Sequence, residues 1–177
     1  MTLMKTRLLL APLVAAALLV AAVLATPAAE AAVKPCSASN LVVWAGEEPG
    51  GGAAGSVFYR VEFTNLSSQA CTIAGFPTVS AVNLKGRRIG ATATHSPGKK
   101  VGAVKLAQGQ TATAQLQIVE ALNYPTDKCK PTWAAGLRIG IPGGSGSKVA
   151  PLAFQACALT ASQILSVGAI NATVTVS

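Results

Sequence analysis

The side chains that most often carry out nucleophilic and acid–base catalysis are scarce in this sequence. A Ser-His-acid set needs a histidine as its base, and the chain contains one histidine, His95. Its neighbours, Thr94 and Ser96-Pro97-Gly98, are typical of an exposed turn beside a basic segment. We therefore predict that His95 is a solvent-exposed loop residue, and we assign no catalytic residue.

Carboxylates, the other common acid–base groups, are few and dispersed. Of the 6 Asp and Glu residues, Glu30 lies in the leader described below, which leaves Glu47, Glu48, Glu62, Glu120 and Asp127. A glycosidase needs two carboxyl groups that converge on one bond. In an extended segment Glu47 and Glu48 point in opposite directions, and Glu62 can neutralise Arg60 on a shared strand face. Solvated surface charge is the favoured interpretation, and the sequence predicts a protein that is not an enzyme.

The thiols form an even set of 4: Cys36, Cys71, Cys129 and Cys157. They are widely separated without a Cys-x-x-Cys pair, so the sequence predicts no metal site and no cofactor. Because all four follow an export leader, we predict two structural disulfides. Three connectivities are open. We favour Cys36 with Cys71, which would join the start of the first strand to the end of the second, and Cys129 with Cys157.

The N-terminal segment resembles an export signal. Lys5 and Arg7 precede an apolar run over residues 8–24, and small residues end at Ala31. We predict a signal peptide over residues 1–31 and a single secreted domain over residues 32–177, located outside the cell or at the cell envelope. An uncleaved anchor is the alternative, although Pro12 interrupts the run and its length is short for a membrane span.

Basic residues dominate the charge. The chain has 14 Lys and Arg residues and a net charge of +8. Between Glu62 and Glu120 there is no acidic residue, whereas six basic residues fall there: Lys85, Arg87, Arg88, Lys99, Lys100 and Lys105. If a hairpin at Lys85-Gly86 and the loop over residues 96–100 share an edge, they form a basic patch able to hold an anionic polymer. Alternatively, these cations protect exposed edge strands from pairing with other chains.

The aromatic residues limit the choice of partner. They lie outside the basic stretch, so we predict no sequence-specific nucleic-acid binding and no stacking platform for bases. An anionic envelope polymer or another envelope protein is the expected partner, with no stable membrane anchor after cleavage of the signal. Two alternatives stay open: a small-ligand carrier whose pocket is lined by Trp44, Phe76 or Trp133, and an extracellular hydrolase whose site the sequence does not identify.

The elements that must position these residues are strands. Apolar and polar residues alternate over residues 57–64, 111–118 and 170–176, which indicates half-buried strands of an antiparallel sheet. Gly46 to Gly55 is predicted to be a long loop, and Ala158 to Leu165 is a candidate helix. Short strands separated by turn residues predict an all-β sandwich. The predicted strands cover residues 40–45, 56–65, 78–84, 88–94, 101–106, 111–119, 136–141, 148–155 and 164–176.

Several motifs resemble a known family over residues 36–170. The clearest is the run Cys71-Thr72-Ile73-Ala74-Gly75-Phe76-Pro77, a cysteine shortly before a Gly-aromatic-Pro turn. A second is Leu106-Ala107-Gln108-Gly109, in which Gln108 stands where the family usually has proline. The chain thus resembles secreted actinobacterial proteins of the domain-of-unknown-function family 4232. The resemblance implies an immunoglobulin-like antiparallel β-sandwich with two disulfides, and it implies no activity.

Overall fold

Strands make up most of residues 32–98 and 102–171, the parts of the chain that the computed structural model describes. The predicted signal peptide, Lys99, Lys100 and the predicted strand residues 172–176 lie outside the described residues. The short helices are α1 (Thr126–Cys129) and a 3-10 turn (Ala121–Asn123). The strands are β1 (Leu41–Ala53), β2 (Ser56–Asn65), β3 (Cys71–Ile73), β4 (Val79–Val82), β5 (Arg88–Thr92), β6 (Thr94–His95), β7 (Val104–Leu106), β8 (Thr111–Val119), β9 (Pro131–Gly140), β10 (Ser147–Cys157) and β11 (Leu165–Val167).

These strands form two main sheets and a small one. One sheet has the order β1-β2-β8-β11-β6, the second has the order β10-β9-β4-β5, and β3 pairs with β7. Neighbouring strands are antiparallel except β11 and β6, which are parallel. The predicted fold class, an all-β immunoglobulin-like sandwich with two disulfides, is confirmed. No helix in the described residues has the length and apolar character needed to cross a membrane.

The core lies between the two main sheets and follows the predicted alternation. On β8 the inward residues Ala112, Ala114, Leu116 and Ile118 are each at most 5% exposed. From the opposite sheet, Leu137 and Ile139 of β9 belong to the same buried cluster. Burying a side chain of this size stabilises the fold by about 1.5–3 kcal/mol. The alternation therefore decides which face of each strand remains available for binding.

Both disulfides have the predicted pairing. Cys36 is bonded to Cys71, and Cys129 is bonded to Cys157. The first joins the segment before β1 to the start of β3, and the second joins the end of α1 to the end of β10. All four cysteines are buried. Each bridge thus fixes a peripheral segment to the sandwich.

The prediction of a loop over residues 46–55 was wrong, because β1 continues to Ala53. Its pairing with β2 runs without interruption to Glu47 and resumes at Gly52 after a register shift. Gly50, inside this irregular segment, has φ +73°, a conformation that glycine adopts without a steric penalty. The glycine-rich segment therefore shifts the register of β1 without ending the strand.

The predicted helix over residues 158–165 was also wrong. The segment forms turns, and β11 begins at Leu165. The backbone N–H groups of Ala158 and Leu159 donate to the carbonyl groups of Lys130 and Cys129, so they are committed to the chain around α1. This non-local pairing overrides the local helix preference. Three short elements, β3, α1 and the 3-10 turn, were not predicted.

A buried asparagine organises the chain after β2. Asn65 is 0% exposed. Its amide nitrogen donates to the carbonyl oxygens of Gln69 and Leu106, at 2.9 and 3.0 Å. Its amide oxygen accepts hydrogen bonds from the backbone N–H and the hydroxyl of Ser67. These four hydrogen bonds use both the nitrogen and the oxygen of the side-chain amide. Asn65 therefore holds the connection from β2 to β3 against β7.

Removing one bridge by the double substitution C129A/C157A should lower the free energy of unfolding. The bridge closes a 28-residue separation, for which the chain-entropy treatment gives about 3–4 kcal/mol. Urea unfolding followed by circular dichroism measures the change. The dithiothreitol-treated parent, which loses both bridges, is expected to be less stable than this variant; equal stability of parent and variant would contradict the structural role.

The substitution Asn65→Ala should destabilise the domain by roughly 2–4 kcal/mol, because it removes four hydrogen bonds at a buried position. Asn40 is exposed, so Asn40→Ala is the matched control and should change stability by at most about 0.5 kcal/mol. Urea midpoints of the two variants provide the comparison. Similar midpoints would show that the buried amide does not organise this region.

Candidate functional site

Two cations lie on the turn that joins β4 to β5, Asn83-Leu84-Lys85-Gly86-Arg87, here called the basic hairpin. The Asn83 side-chain oxygen accepts hydrogen bonds from the backbone N–H groups of Lys85 and Arg87, at 3.0 and 2.9 Å. The Asn83 backbone N–H also donates to the Arg87 carbonyl oxygen, and the Asn83 carbonyl oxygen accepts from the Gly86 N–H. Gly86 has φ +69°, which suits glycine at this position. The turn is thus fixed locally, and Lys85 and Arg87 are exposed on it.

Another cation reaches the basic hairpin from a different strand. Arg138 of β9 donates from Nη2 to the carbonyl oxygen of Gly86 at 2.8 Å. Arg138 lies opposite Ser80 in the pairing of β9 with β4, and it is exposed on the outer face of the sheet. Arg138 is not among the site residues that the sequence predicts. The alternation around Leu137 and Ile139 indicates an outward Arg138, but the pairing of β9 with β4 is not evident from the sequence.

An open groove of about 730 Å³ lies on this outer face. Arg88 of β5 and Arg138 contribute its positive charge. Guanidinium and hydroxyl groups together are well suited to phosphate and carboxylate oxygens. The remaining lining residues are small or carry hydroxyl groups: Thr78, Ser80, Thr92, Gly140, Gly146 and Ser147.

Charge is segregated between the two main sheets. The four strands β10, β9, β4 and β5 and the basic hairpin contain no Asp or Glu. By contrast, Glu47, Glu48 and Glu62 lie on β1 and β2, and Glu120 directly follows β8. The ion pairs among the described residues, Arg60–Glu62 and Lys128–Asp127, both lie outside the four-stranded sheet. Among the described residues, the cations of that sheet therefore form no ion pair with a carboxylate.

The other predicted site residues are distributed differently. Lys99 and Lys100 lie outside the described residues, so their expected place beside the basic hairpin stays a prediction. Lys105 lies on β7, in the small sheet with β3. His95 is exposed as predicted, but it belongs to β6, and its ring stacks on Phe76 with 4.1 Å between centroids.

Glu62 and Glu48, on the five-stranded sheet, contact neighbouring polar side chains. The predicted pairing of Glu62 with Arg60 is confirmed, with 3.5 Å between Oε1 and Nε. Glu48 accepts a hydrogen bond from Gln115 at 2.9 Å. Burial, and less strongly the nearby Glu47 carboxylate, raise the pKa of Tyr59 above its ordinary value. Among the described residues, no three His, Cys, Asp or Glu side chains are grouped as a metal site would require.

A second groove, of about 460 Å³, lies between the basic hairpin and β9. It is mostly apolar and includes the indole of Trp133, one of the three aromatic residues predicted for a ligand pocket. The other tryptophan, Trp44, lies on β1, where its ring occupies the space that a side chain at Gly46 would need. The remaining lining residues of the groove are Asn83, Leu84, Lys85, Arg87, Ala134, Ala135 and Ala153.

The substitution Asn83→Ala should loosen the basic hairpin, because the backbone N–H groups of Lys85 and Arg87 lose their acceptor. We expect faster amide hydrogen exchange at these two residues and a stability loss of about 1 kcal/mol. Heteronuclear NMR measures the exchange. Asn123→Ala, which removes a hydrogen bond to Gly55, is the control and should leave both amides unaffected; unchanged exchange in Asn83→Ala itself would contradict the role of Asn83.

Comparison with known families gives one match. Residues 36–174 match the family described as Domain of unknown function (DUF4232). Comparison with curated proteins and with solved structures yields no match. The matched range contains both disulfides, both main sheets and the basic hairpin. The chain therefore belongs to the domain-of-unknown-function family DUF4232.

Proposed function

We propose that this protein is a noncatalytic binding domain, exported to the cell envelope or the medium, that recognises an anionic polymer. Its binding surface consists of the exposed cations Lys85, Arg87, Arg88 and Arg138, here called the basic surface. The observation that carries the proposal is the convergence of Arg138 on the basic hairpin, in a sheet whose strands contain no carboxylate.

A polymer suits this surface better than a small anion. An exposed charge pair contributes only about 0.2–1 kcal/mol, so one phosphate or carboxylate would bind weakly. A chain with repeated charges can contact several cations at once, and each further contact gains from the high effective concentration of the tethered group. The open groove beside Arg88 and Arg138 leaves room for such a chain along the sheet.

The edge-protection alternative explains part of this pattern only. Arg88 lies on β5, the last strand of its sheet, where a cation discourages pairing with other chains. Arg138 lies on β9, which is paired with β10 on one side and β4 on the other. An interior strand has no free edge to protect. Edge protection therefore does not explain why a cation lies at Arg138.

The location and the absence of catalysis are part of the proposal. Two disulfides favour an oxidising compartment, in agreement with the export signal predicted over residues 1–31.

Regarding catalysis, His95 and the carboxylates Glu47, Glu48 and Glu62 lie on the five-stranded sheet, and the basic surface lies on the other. A site made of cations and hydroxyl groups can hold an anion but offers no base to activate a nucleophile.

The triple substitution K85A/R87A/R88A in the exported protein tests the proposal. Removing three contacts should weaken binding to polygalacturonate and to polyphosphate by roughly tenfold or more in 50 mM salt. Retention on the immobilised polymers and titration calorimetry measure the change. Both polymers should also release the parent protein as salt is increased, because the charges are exposed.

The matched control is K34A/K105A/K128A, which removes three charges located outside the four-stranded sheet. It lowers net charge equally and should retain at least half of the parent affinity. If the two triple variants bind equally well, binding depends on total charge alone and the basic surface is not the site.

A further inference from the structure

The tip of the basic hairpin exposes an apolar side chain. Leu84 is 95% exposed, and Trp133, across the apolar groove, is 67% exposed. Isolated exposed leucines are common on proteins and need no explanation. Here, however, the leucine and the indole line the same groove, and Lys85 and Arg87 line it too. The surface thus combines apolar groups and cations at one protruding point.

The hairpin is held in a conformation that keeps Leu84 in solvent. Asn83 fixes the turn through its side-chain oxygen and its backbone, and Arg138 holds the Gly86 carbonyl group. A flexible turn could fold its leucine against the protein, whereas this one is restrained on both sides of the residue. Its apolar surface therefore stays available without a conformational change.

We propose that this tip docks reversibly on an anionic lipid surface. In this arrangement Leu84 enters the acyl region, Trp133 lies at the level of the headgroups, and Lys85 and Arg87 contact lipid phosphates. Indole rings favour the membrane–water interface, and basic residues beside a membrane are attracted by anionic headgroups. The charge complementarity is strong, because the strands of this sheet carry no carboxylate that would be repelled.

The size of the apolar surface favours a bilayer over a protein partner. A stable protein interface buries about 800 Å² on each side, mostly on surfaces that match in shape. Leu84 and Trp133 are the large exposed apolar residues of this groove, and two side chains provide much less area than that. A lipid surface deforms around a small protrusion and needs no matching shape. The tip is therefore suited to shallow insertion.

This inference shares Lys85 and Arg87 with the proposed function but depends on Leu84 and Trp133, so the two can fail separately. The exported protein carrying Trp44→Phe retains Trp133 as its single tryptophan. When phosphatidylglycerol–phosphatidylcholine vesicles are added, the fluorescence emission of Trp133 should shift to shorter wavelength. The protein should also sediment together with these vesicles. Vesicles of phosphatidylcholine alone should do neither.

In the same background, Leu84→Ser should weaken vesicle binding by roughly tenfold or more, because burial of one leucine side chain is lost. Its matched control is Leu122→Ser: Leu122 is also highly exposed, at 72%, but lies on the 3-10 turn. This control should bind vesicles like the parent. Both variants should bind polygalacturonate like the parent, since the basic surface is intact.

Four outcomes distinguish this inference from its alternatives. Equal vesicle binding by Leu84→Ser and the parent would show that charge alone holds the protein on lipid. Binding to polygalacturonate without binding to anionic vesicles would retain the proposed function and reject the lipid surface. The parent protein could instead fail to bind vesicles and form dimers in sedimentation equilibrium. If Leu84→Ser abolished those dimers, the tip would be a self-association surface. Vesicle binding without polymer binding would support the inference and reject the proposed function.

Discussion

The register between β4 and β9 is the constraint on which the basic surface depends. Ser80 lies opposite Arg138, and Ala81 lies opposite Leu137. Because side chains alternate across a strand, a shift of one residue would move Arg138 toward the core and Leu137 toward solvent. Leu137 and Ile139 are fully buried, so the hydrophobic effect opposes such a shift. The packing of the core therefore also positions the guanidinium outside it.

The strand order converts a dispersed set of charges into two unlike faces. In the sequence, acidic residues precede and follow a long basic stretch, which by itself specifies no surface. In the fold, β1 and β2 carry Glu47, Glu48 and Glu62 into one sheet, whereas β5 and β9 carry Arg88 and Arg138 into the other. The separation keeps carboxylates away from the cations. As a result, the field of the four-stranded sheet is not neutralised by its own side chains.

Local patterns predicted much of this architecture, because local forces determine it. The strand over residues 111–119 was predicted at its observed bounds, since its alternation is regular and one face is buried. The bounds of β2 were also correct. The Cys36–Cys71 pairing was predicted because it would join the first two strands, which are antiparallel neighbours. These features depend on adjacent residues or adjacent strands.

What the sequence did not show depends on distant contacts. Arg138 reaches Gly86 across a separation of 52 residues, and no local pattern specifies that the two meet. The segment after β10 has helical preference but is committed to the chain around Cys129. β1 continues through its glycines because its backbone still pairs with β2, irrespective of side chains. In each case a tertiary contact outweighs a modest local preference.

The guanidinium group of Arg138 can stabilise the basic hairpin and bind an anion at the same time. A guanidinium group has five N–H donors and always carries its charge. One donor, on Nη2, is used by the Gly86 carbonyl group, and the others remain for an anion. A lysine at this position would be a compact charge without the planar fork, so it could not hold the hairpin and present a bidentate pair together. The contact that shapes the basic hairpin thus also orients a binding group beside it.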